Sequence, residues 1–274
     1  MKMKKLGVIA AGALMAMSLG VFGCSSPASS SSASSSAAAE TEEMVLLNDG
    51  ELTIVSSPDY PPFENLVGDE TVGFEVDLFQ AVADKMGLTL NIVPLQFDAI
   101  IPAIAAGGQG DVGVSGFSVD PERAKEIDFT ATYYVDDQAV AVMDDSPITE
   151  ENAVEALNNP DVIIAVQTGT TGETFAQENF PNATIQGYGN STDCFAAMQS
   201  GQASAVCTNL AVVADMTAEA YTDARIVYRV ATGEEYAAVV SQDNPALLEA
   251  VNNALAELEA DGTIDELKAK WFNI

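Results

Sequence analysis

The chain has 274 residues, with 41 Asp and Glu against 10 Lys and Arg, no His and three Cys, giving a formal net charge of −31. The absence of His excludes Ser-His-Asp and Cys-His nucleophile systems and most zinc sites, and so acidic a chain lacks the Lys/Arg clusters that nucleic-acid binding requires. With 48% of its residues apolar, it can bury a core of one large domain or two of ordinary size, so a folded body is expected.

Lys2, Lys4 and Lys5 precede an apolar run from Leu6 to Gly23. A basic segment followed by an apolar one is the form of a secretory signal. Val21-Phe22-Gly23-Cys24 then resembles a bacterial lipobox, which makes residues 1–23 a lipoprotein signal peptide and Cys24 the lipidated (typically palmitate-bearing) first residue of the mature chain. Residues 25–39 are only Ser, Ala and Pro, a composition that cannot bury a core and acts as a flexible tether, so residues 24–47 read as lipidated Cys plus tether. An uncleaved anchor helix is the alternative; both place the body outside the cytoplasm, attached to the membrane. Cys194 and Cys207 remain, and either a disulfide or two buried thiols fits their apolar surroundings.

Glu51–Ser56 alternates into a strand, and Phe74–Met86 spaces its apolar residues as a helix that stops at Gly87. Leu88–Val93 reads as a strand. Asp98 is placed to cap a helix carrying Ile100, Ile101 and Ile104 and ending at Gly107-Gly108. Asp111–Ser115 is a short strand. A second block opens with a helix over Thr149–Asn158, then the apolar strand Val162–Val166, the loop Gln167-Thr168-Gly169-Thr170-Thr171-Gly172 and a helix from Glu173. Ser191–Ser200 is a helix, and Ala203–Thr208 and Arg225–Val230 are strands. Asn244-Pro245 opens a C-terminal helix, and Thr263 with Glu266 forms a capping box for the last one. Alternating strands and helices predict an α/β fold with mainly parallel sheets. Two such blocks suggest two lobes with a ligand cleft between them.

Between Leu6 and Tyr221 the basic residues are only Lys85, Arg123 and Lys125. Arg123 follows the strand Asp111–Ser115, and the C-terminal ends of parallel strands are where open α/β sheets place ligands. It reads either as a bidentate anion clamp or as a surface Arg paired with Glu122 or Asp128. The Gln167–Glu173 loop offers a second anion cradle, with free N–H groups at a helix start and Thr hydroxyls, but without the Lys of a nucleotide-binding loop. Tyr60-Pro61-Pro62-Phe63 provides aromatic faces for a ligand or for the core. No acidic loop has calcium-hand spacing, and neither a metal nor a cofactor is expected.

Taken together, several segments resemble the family 3 extracellular solute-binding proteins, the polar amino-acid receptors of ABC importers. These are Ser57-Pro58-Asp59-Tyr60-Pro61-Pro62-Phe63-Glu64, Gly73-Phe74-Glu75-Val76-Asp77-Leu78, Phe97-Asp98-Ala99-Ile100-Ile101-Pro102, Pro121-Glu122-Arg123-Ala124-Lys125, Gly169-Thr170-Thr171-Gly172 and Ala260-Asp261-Gly262-Thr263. The resemblance implies a two-lobed periplasmic-binding-protein-like fold of type II, with two hinge strands and a cleft between lobes. Lobe 1 would comprise residues 48–135 plus 236–274 and lobe 2 residues 136–235. It further implies that Arg123 grips an α-carboxylate together with Thr171, its neighbour Thr170 lying in the same loop. Ser118 and the Gly116 carbonyl would meet the α-ammonium, Tyr60 and Phe97 would flank the side chain, and Ser57 and Gln167 would sit where specificity is set. The implied partners are an amino acid or related carboxylate and a membrane permease with its ATPase.

One position departs from the family pattern. The lobe 2 strand usually ends in an Asp that pairs with the ammonium, and here the residue is Asn209. Asn brings no charge, so three readings stay open: a weakly held α-amino acid, a ligand whose amine is modified or absent, or a compensating carboxylate from another segment; an Asn209→Asp change is expected to tighten amino-acid binding. No second cation sits on the matching loops and Ser57 is neutral, although Asp59 or Glu64 offers a nearby acid, so a neutral or polar ligand is favoured. The resemblance also admits an enzyme on the same fold, of the cyclohexadienyl dehydratase type, with Glu173 or Asp59 as general acid.

Overall fold

The computed structural model describes residues 44–272; Cys24, the signal peptide and most of the tether lie outside the described residues. In chain order the elements begin with strands β1 (Glu51–Ser56), β2 (Asp59–Tyr60), β3 (Glu64–Val67) and β4 (Glu70–Val72), then α1 (Phe74–Met86), β5 (Thr89–Pro94), α2 (Phe97–Ala106) and β6 (Val112–Gly113). A 3-10 turn at Arg123–Lys125 leads to β7 (Ile127–Phe129) and the long β8 (Tyr134–Met143). The middle of the chain supplies α3 (Ala153–Leu157), β9 (Ile163–Gln167), α4 (Thr171–Asn179), β10 (Thr184–Tyr188), α5 (Ser191–Gln199), β11 (Ala205–Asn209) and α6 (Leu210–Glu219). The chain closes with β12 (Ala224–Tyr236), β13 (Val239–Ser241), α7 (Pro245–Ala260) and α8 (Thr263–Phe272).

Two five-stranded sheets organise the molecule, one ordered β5-β1-β6-β13-β7 and the other β10-β9-β11-β8-β12. Each has a parallel half, β5-β1-β6 and β10-β9-β11, and a half made antiparallel by returning strands. The sheets are therefore mixed rather than mainly parallel. The returning strands β8 and β12 connect the two lobes, and they pair with each other at Tyr134↔Tyr236, Val135↔Glu235 and Asp136↔Glu234. The ladder is irregular between Val230 and Glu234, at Gly233 with its φ of +62°, which re-aims the strand as a bulge does.

Helix α1 buries Phe74, Leu78, Phe79 and Val82 and ends on a left-handed Gly87, as its sequence predicts. Phe63 and Phe74 sit among Tyr134, Tyr236 and Phe272 with ring centroids about 5 to 6 Å apart, so the C-terminal helix is anchored to the crossing strands by aromatic packing. Other expectations need correcting. Helix α2 begins at Phe97 with Gln96 as its cap residue, so Asp98 lies in the first turn and complements the dipole instead of capping. At the start of α8, Thr263 donates its hydroxyl to Asp261 Oδ1 at 2.6 Å and its N–H to the same oxygen at 3.1 Å, so Asp261 caps in place of the expected Thr263–Glu266 box. The helix expected over Thr149–Asn158 shortens to Ala153–Leu157. Strand β12 extends six residues past the expected end at Val230. Both Cys194 and Cys207 are buried free thiols, so the disulfide option is not realised. Among the described residues no helix is long and apolar enough to cross a membrane.

Candidate functional site

The lobe 1 wall is the loop that follows β6. Its Gly116 has a φ of +56° and lies against the Tyr60 ring, a conformation that favours glycine. The Gly116 N–H donates to Glu75 Oε2 at 2.9 Å, the Tyr133 hydroxyl donates to Glu75 Oε1 at 2.5 Å, and Ser115 Oγ donates to Glu64 Oε1 at 2.9 Å. Both carboxyls are completely buried. Burial, followed by repulsion from Glu75, holds the Glu64 carboxyl well above the usual carboxylate range, and the pair braces the loop from behind.

Arg123 is set by a local turn in which Asp120 Oδ1 accepts from the N–H groups of Glu122 and Arg123 at 2.8 and 3.1 Å. Its guanidinium carbon lies 5.4 Å from the Phe97 ring centre and 5.5 Å from that of Phe117, and the two rings stack at 4.7 Å. Nη1 donates to the Ser118 carbonyl at 2.9 Å, and Nη2 reaches the other lobe, donating to the Gly169 carbonyl at 3.0 Å. Burial lowers the Arg123 pKa, opposed by Asp120 and Glu234; a guanidinium stays charged regardless. Among the described residues Arg123 makes no salt bridge, and Glu122 pairs with Lys125. The surface-pair reading of Arg123 is therefore not realised.

The lobe 2 wall starts at Gln167, the last residue of β9. Gly169 turns the chain at φ +81°. Thr170 caps α4 by accepting from the Glu173 N–H at 3.1 Å, while its hydroxyl donates to the Gln167 carbonyl at 2.7 Å. The helix thus opens at Thr171, two residues earlier than expected, and its first N–H groups stand at the cleft. Asn209 ends β11. Its Oδ1 accepts from the Tyr60 hydroxyl at 2.7 Å, and its Nδ2 donates to Glu234 Oε2 at 3.2 Å.

Glu234, on the crossing part of β12, receives most of the converging donors. Oε2 also accepts from Ser118 Oγ at 2.5 Å and Thr171 Oγ1 at 2.7 Å, and Oε1 accepts from Gln138 Nε2 at 2.7 Å. Burial opposes its ionisation, but these hydrogen bonds outweigh burial and hold its pKa below the usual value. Asp59 is buried beside the cleft. Its carboxylate accepts from Ser57 Oγ at 2.6 Å, from Gln167 Nε2 at 3.2 Å and from the Ser191 N–H, and burial raises its pKa.

Tyr60, Phe97, Gly116, Ser118, Arg123, Gln167, Thr170, Thr171 and Asn209 line one narrow cavity of only about 10 Å³ between the lobes, joined there by Asp59 and Ser115. Ser57 stands one step behind, holding Asp59. The cleft is closed: bonds from Tyr60 to Thr208 and Asn209, from Asp59 to Gln167 and from Arg123 to Gly169 all cross it.

The family model described as bacterial extracellular solute-binding proteins, family 3, matches residues 52–274. The chain belongs to that family. It is 30% identical to ABC transporter arginine-binding protein 1 of Escherichia coli (strain K12), over 79% of this chain and 88% of that protein. Among solved structures it is similar to the ancestral amino acid-binding protein AncCDT-1, described as a precursor of cyclohexadienyl dehydratase, with 36% identity, a TM-score of 0.75 and coverage of 81% of this chain and 96% of that one. It is also similar to an ancestral arginine-binding protein bound to glutamine, with 31% identity, a TM-score of 0.76 and coverage of 83% and 100%.

In this family 3 protein the two acids considered for catalysis are engaged. Glu173 accepts from the Gly169 N–H at 2.8 Å and from Gln177 at 3.3 Å, and Asp59 is held by the three donors above. Among the described residues no cluster of three or more His, Cys, Asp or Glu gathers for a metal. Sequence reasoning missed Glu234 and Gln138. Glu234 lies in Thr232-Gly233-Glu234-Glu235-Tyr236, and in so acidic a chain nothing separates it from a solvated acid.

Proposed function

We propose that this protein is the extracytoplasmic substrate-binding component of an ABC importer, taking a small α-amino acid with a neutral or polar side chain, and that it binds without turnover. The carrying observation is Arg123, stacked over Phe97 and Phe117 on one lobe with its guanidinium reaching Gly169 on the other. A ligand carboxylate that takes over this fork gains charge-assisted bonds and, with the N–H groups at the start of α4, is shared by both lobes. Contacts made only in the closed state supply the differential affinity that shifts an open form to a closed one.

In this reading residues 48–135 plus 236–274 and residues 136–235 move as the two lobes. Ser118 and Gly116 receive the amine end, Tyr60 and Phe97 flank the ligand, and Gln167 with Asp59, backed by Ser57, forms a polar inner wall suited to a hydrogen-bonding side chain. The closed form would be what the membrane permease and its ATPase recognise. The protein is held at the membrane by lipid on Cys24 after removal of residues 1–23; a Cys24→Ala variant that stayed in the membrane fraction would end the lipoprotein part of the proposal.

The experiment for the binding role is a thermal-shift screen of the purified domain against each standard L-amino acid and L-cystine, followed by calorimetry. A rise in unfolding temperature with at least one amino acid is expected. No shift with any of them would remove the function. Turnover of prephenate or arogenate would move the protein to the enzyme alternative.

A further inference from the structure

Glu234 is a partly buried carboxylate bonded to three residues that line the cleft, Ser118, Thr171 and Asn209, the last an Asn where a charged partner for an amine is usually found. Its two oxygens collect Ser118 Oγ, Thr171 Oγ1, Gln138 Nε2 and Asn209 Nδ2 within 3.2 Å. All four donors are neutral, and Glu234 makes no salt bridge among the described residues, so no cation touches a carboxylate whose burial would favour one. Ser118 links it to the anion end of the site: the Ser118 carbonyl accepts from Arg123 Nη1, and the Ser118 hydroxyl donates to Glu234. One residue thus joins the cation and the anion of the site, the two charges that the carboxylate and ammonium of an α-amino acid require.

We propose that Glu234, supplied by the crossing strand and not by the end of β11, is the acceptor for the ligand's α-ammonium, and that Asn209 positions it. Resting on the amino-acid reading above, this assigns the charged partner of the amine to a residue that no motif marks. Asn209 is the side chain that fits between Tyr60 and Glu234, because it accepts from the Tyr60 hydroxyl and donates to the Glu234 carboxylate at once. An Asp there would accept from both sides and donate to neither. Because Glu234 lies on a strand joining the lobes, binding the ammonium also ties the amine end of the ligand to the hinge, so that the amine contributes to closure directly.

The test compares the amino acid that stabilises the wild-type protein most with its counterpart lacking the α-amine: L-arginine with δ-guanidinovalerate, or L-glutamine with glutaramate. Calorimetry on the wild type comes first and depends on no variant folding. The amino acid is expected to bind roughly tenfold to a hundredfold more tightly than its counterpart, as the loss of one charge-assisted pair implies. Glu234→Gln is expected to erase that difference, weakening the amino acid by a similar factor and leaving the counterpart nearly unchanged. The double change N209D/E234Q restores a carboxylate facing the amine and is expected to recover part of the loss. Equal wild-type affinities for the two compounds, or an E234Q variant that loses both equally or neither, would overturn the assignment of Glu234 while the binding function stands. Failure of every amino acid to bind the wild-type protein would overturn that function, and with it this assignment.

Discussion

Asn209 Nδ2 lies 3.2 Å from Glu234 Oε2, and the Asn209 carbonyl oxygen accepts from the Tyr60 hydroxyl at 2.7 Å. Three residues from three separate elements therefore share one polar chain across the cleft, and each depends on the hydrogen-bonding character of the next. From this chain we propose the opposite of the expectation that an acid at position 209 would improve the site.

Asn209→Asp is expected to weaken amino-acid binding, by roughly tenfold at neutral pH. The change places a second carboxylate at hydrogen-bond distance from Glu234, where like charges oppose each other and one must take up a proton. Calorimetry at pH 7 checks this, and tighter binding would show that the two acids do not face each other.

Arg123→Ala is expected to cost at least ~2 kcal/mol of binding free energy, and Arg123→Lys nearly as much, because an ammonium cannot reproduce the planar fork over two aromatic rings. Titration of either variant with the tightest-binding amino acid decides it; unchanged affinity would remove Arg123 from the site.

Asp136, at the β8–β12 crossing, has its pKa pushed up to about 7, chiefly by burial, against an ordinary value of 3.8. Between these values the unfolded chain has released its proton while the folded one keeps it, so stability falls as pH rises from about 4 to 7 and is level above that. The shift corresponds to a loss on the order of 4 kcal/mol from this group. Asp136→Asn should remove this component, so that the variant gains on the wild type between pH 5 and pH 8. Urea unfolding at both pH values reads the difference, and a constant difference would refute it.

Gly73 precedes α1 with a φ of +148°, and a Cβ there would stand 2.1 Å from the Phe63 carbonyl oxygen. That carbonyl accepts from the Glu75 N–H and belongs to the residue at the centre of the aromatic cluster, so it has little freedom to move. Gly73→Ala is expected to destabilise the fold by roughly 3 kcal/mol or more. A fall of only a degree or so in unfolding temperature would contradict the clash.

Burial pushes both the Cys194 and Cys207 thiols up, and only the thiolate reacts. Neither is expected to react with a thiol reagent at pH 8 in the folded protein, and both are expected to react in denaturant. Rapid native labelling would show that one is accessible.

Much of the scaffold was legible from local pattern. Apolar spacing with Gly87 marked α1, Asn244-Pro245 opened α7, and β1 was bounded correctly. These segments are specified by neighbours a few residues apart. The short sheet β2–β4, the strands β7, β8, β10 and β13 and the helix α6 were not read; the short or partly buried strands give little local pattern, and the long β8 is a strand defined by its pairing with the distant β11 and β12. The helix expected from Thr149 contracted where no partner covers its first turn.

Sequence alone determined the chemistry the cleft can offer. With basic residues so scarce, Arg123 stood out, and the ordered motifs around it named the other walls that the fold brings together. Only the tertiary structure places Glu234 among its donors. Its strand was expected to stop at Val230, and a carboxylate's meaning depends on what faces it. Four donors from Ser118, Gln138, Thr171 and Asn209 meet there only because two sheets are joined by crossing strands. Charge and spacing are local properties that a sequence displays, whereas the convergence of side chains from 25 to 116 residues apart is a property of the closed fold.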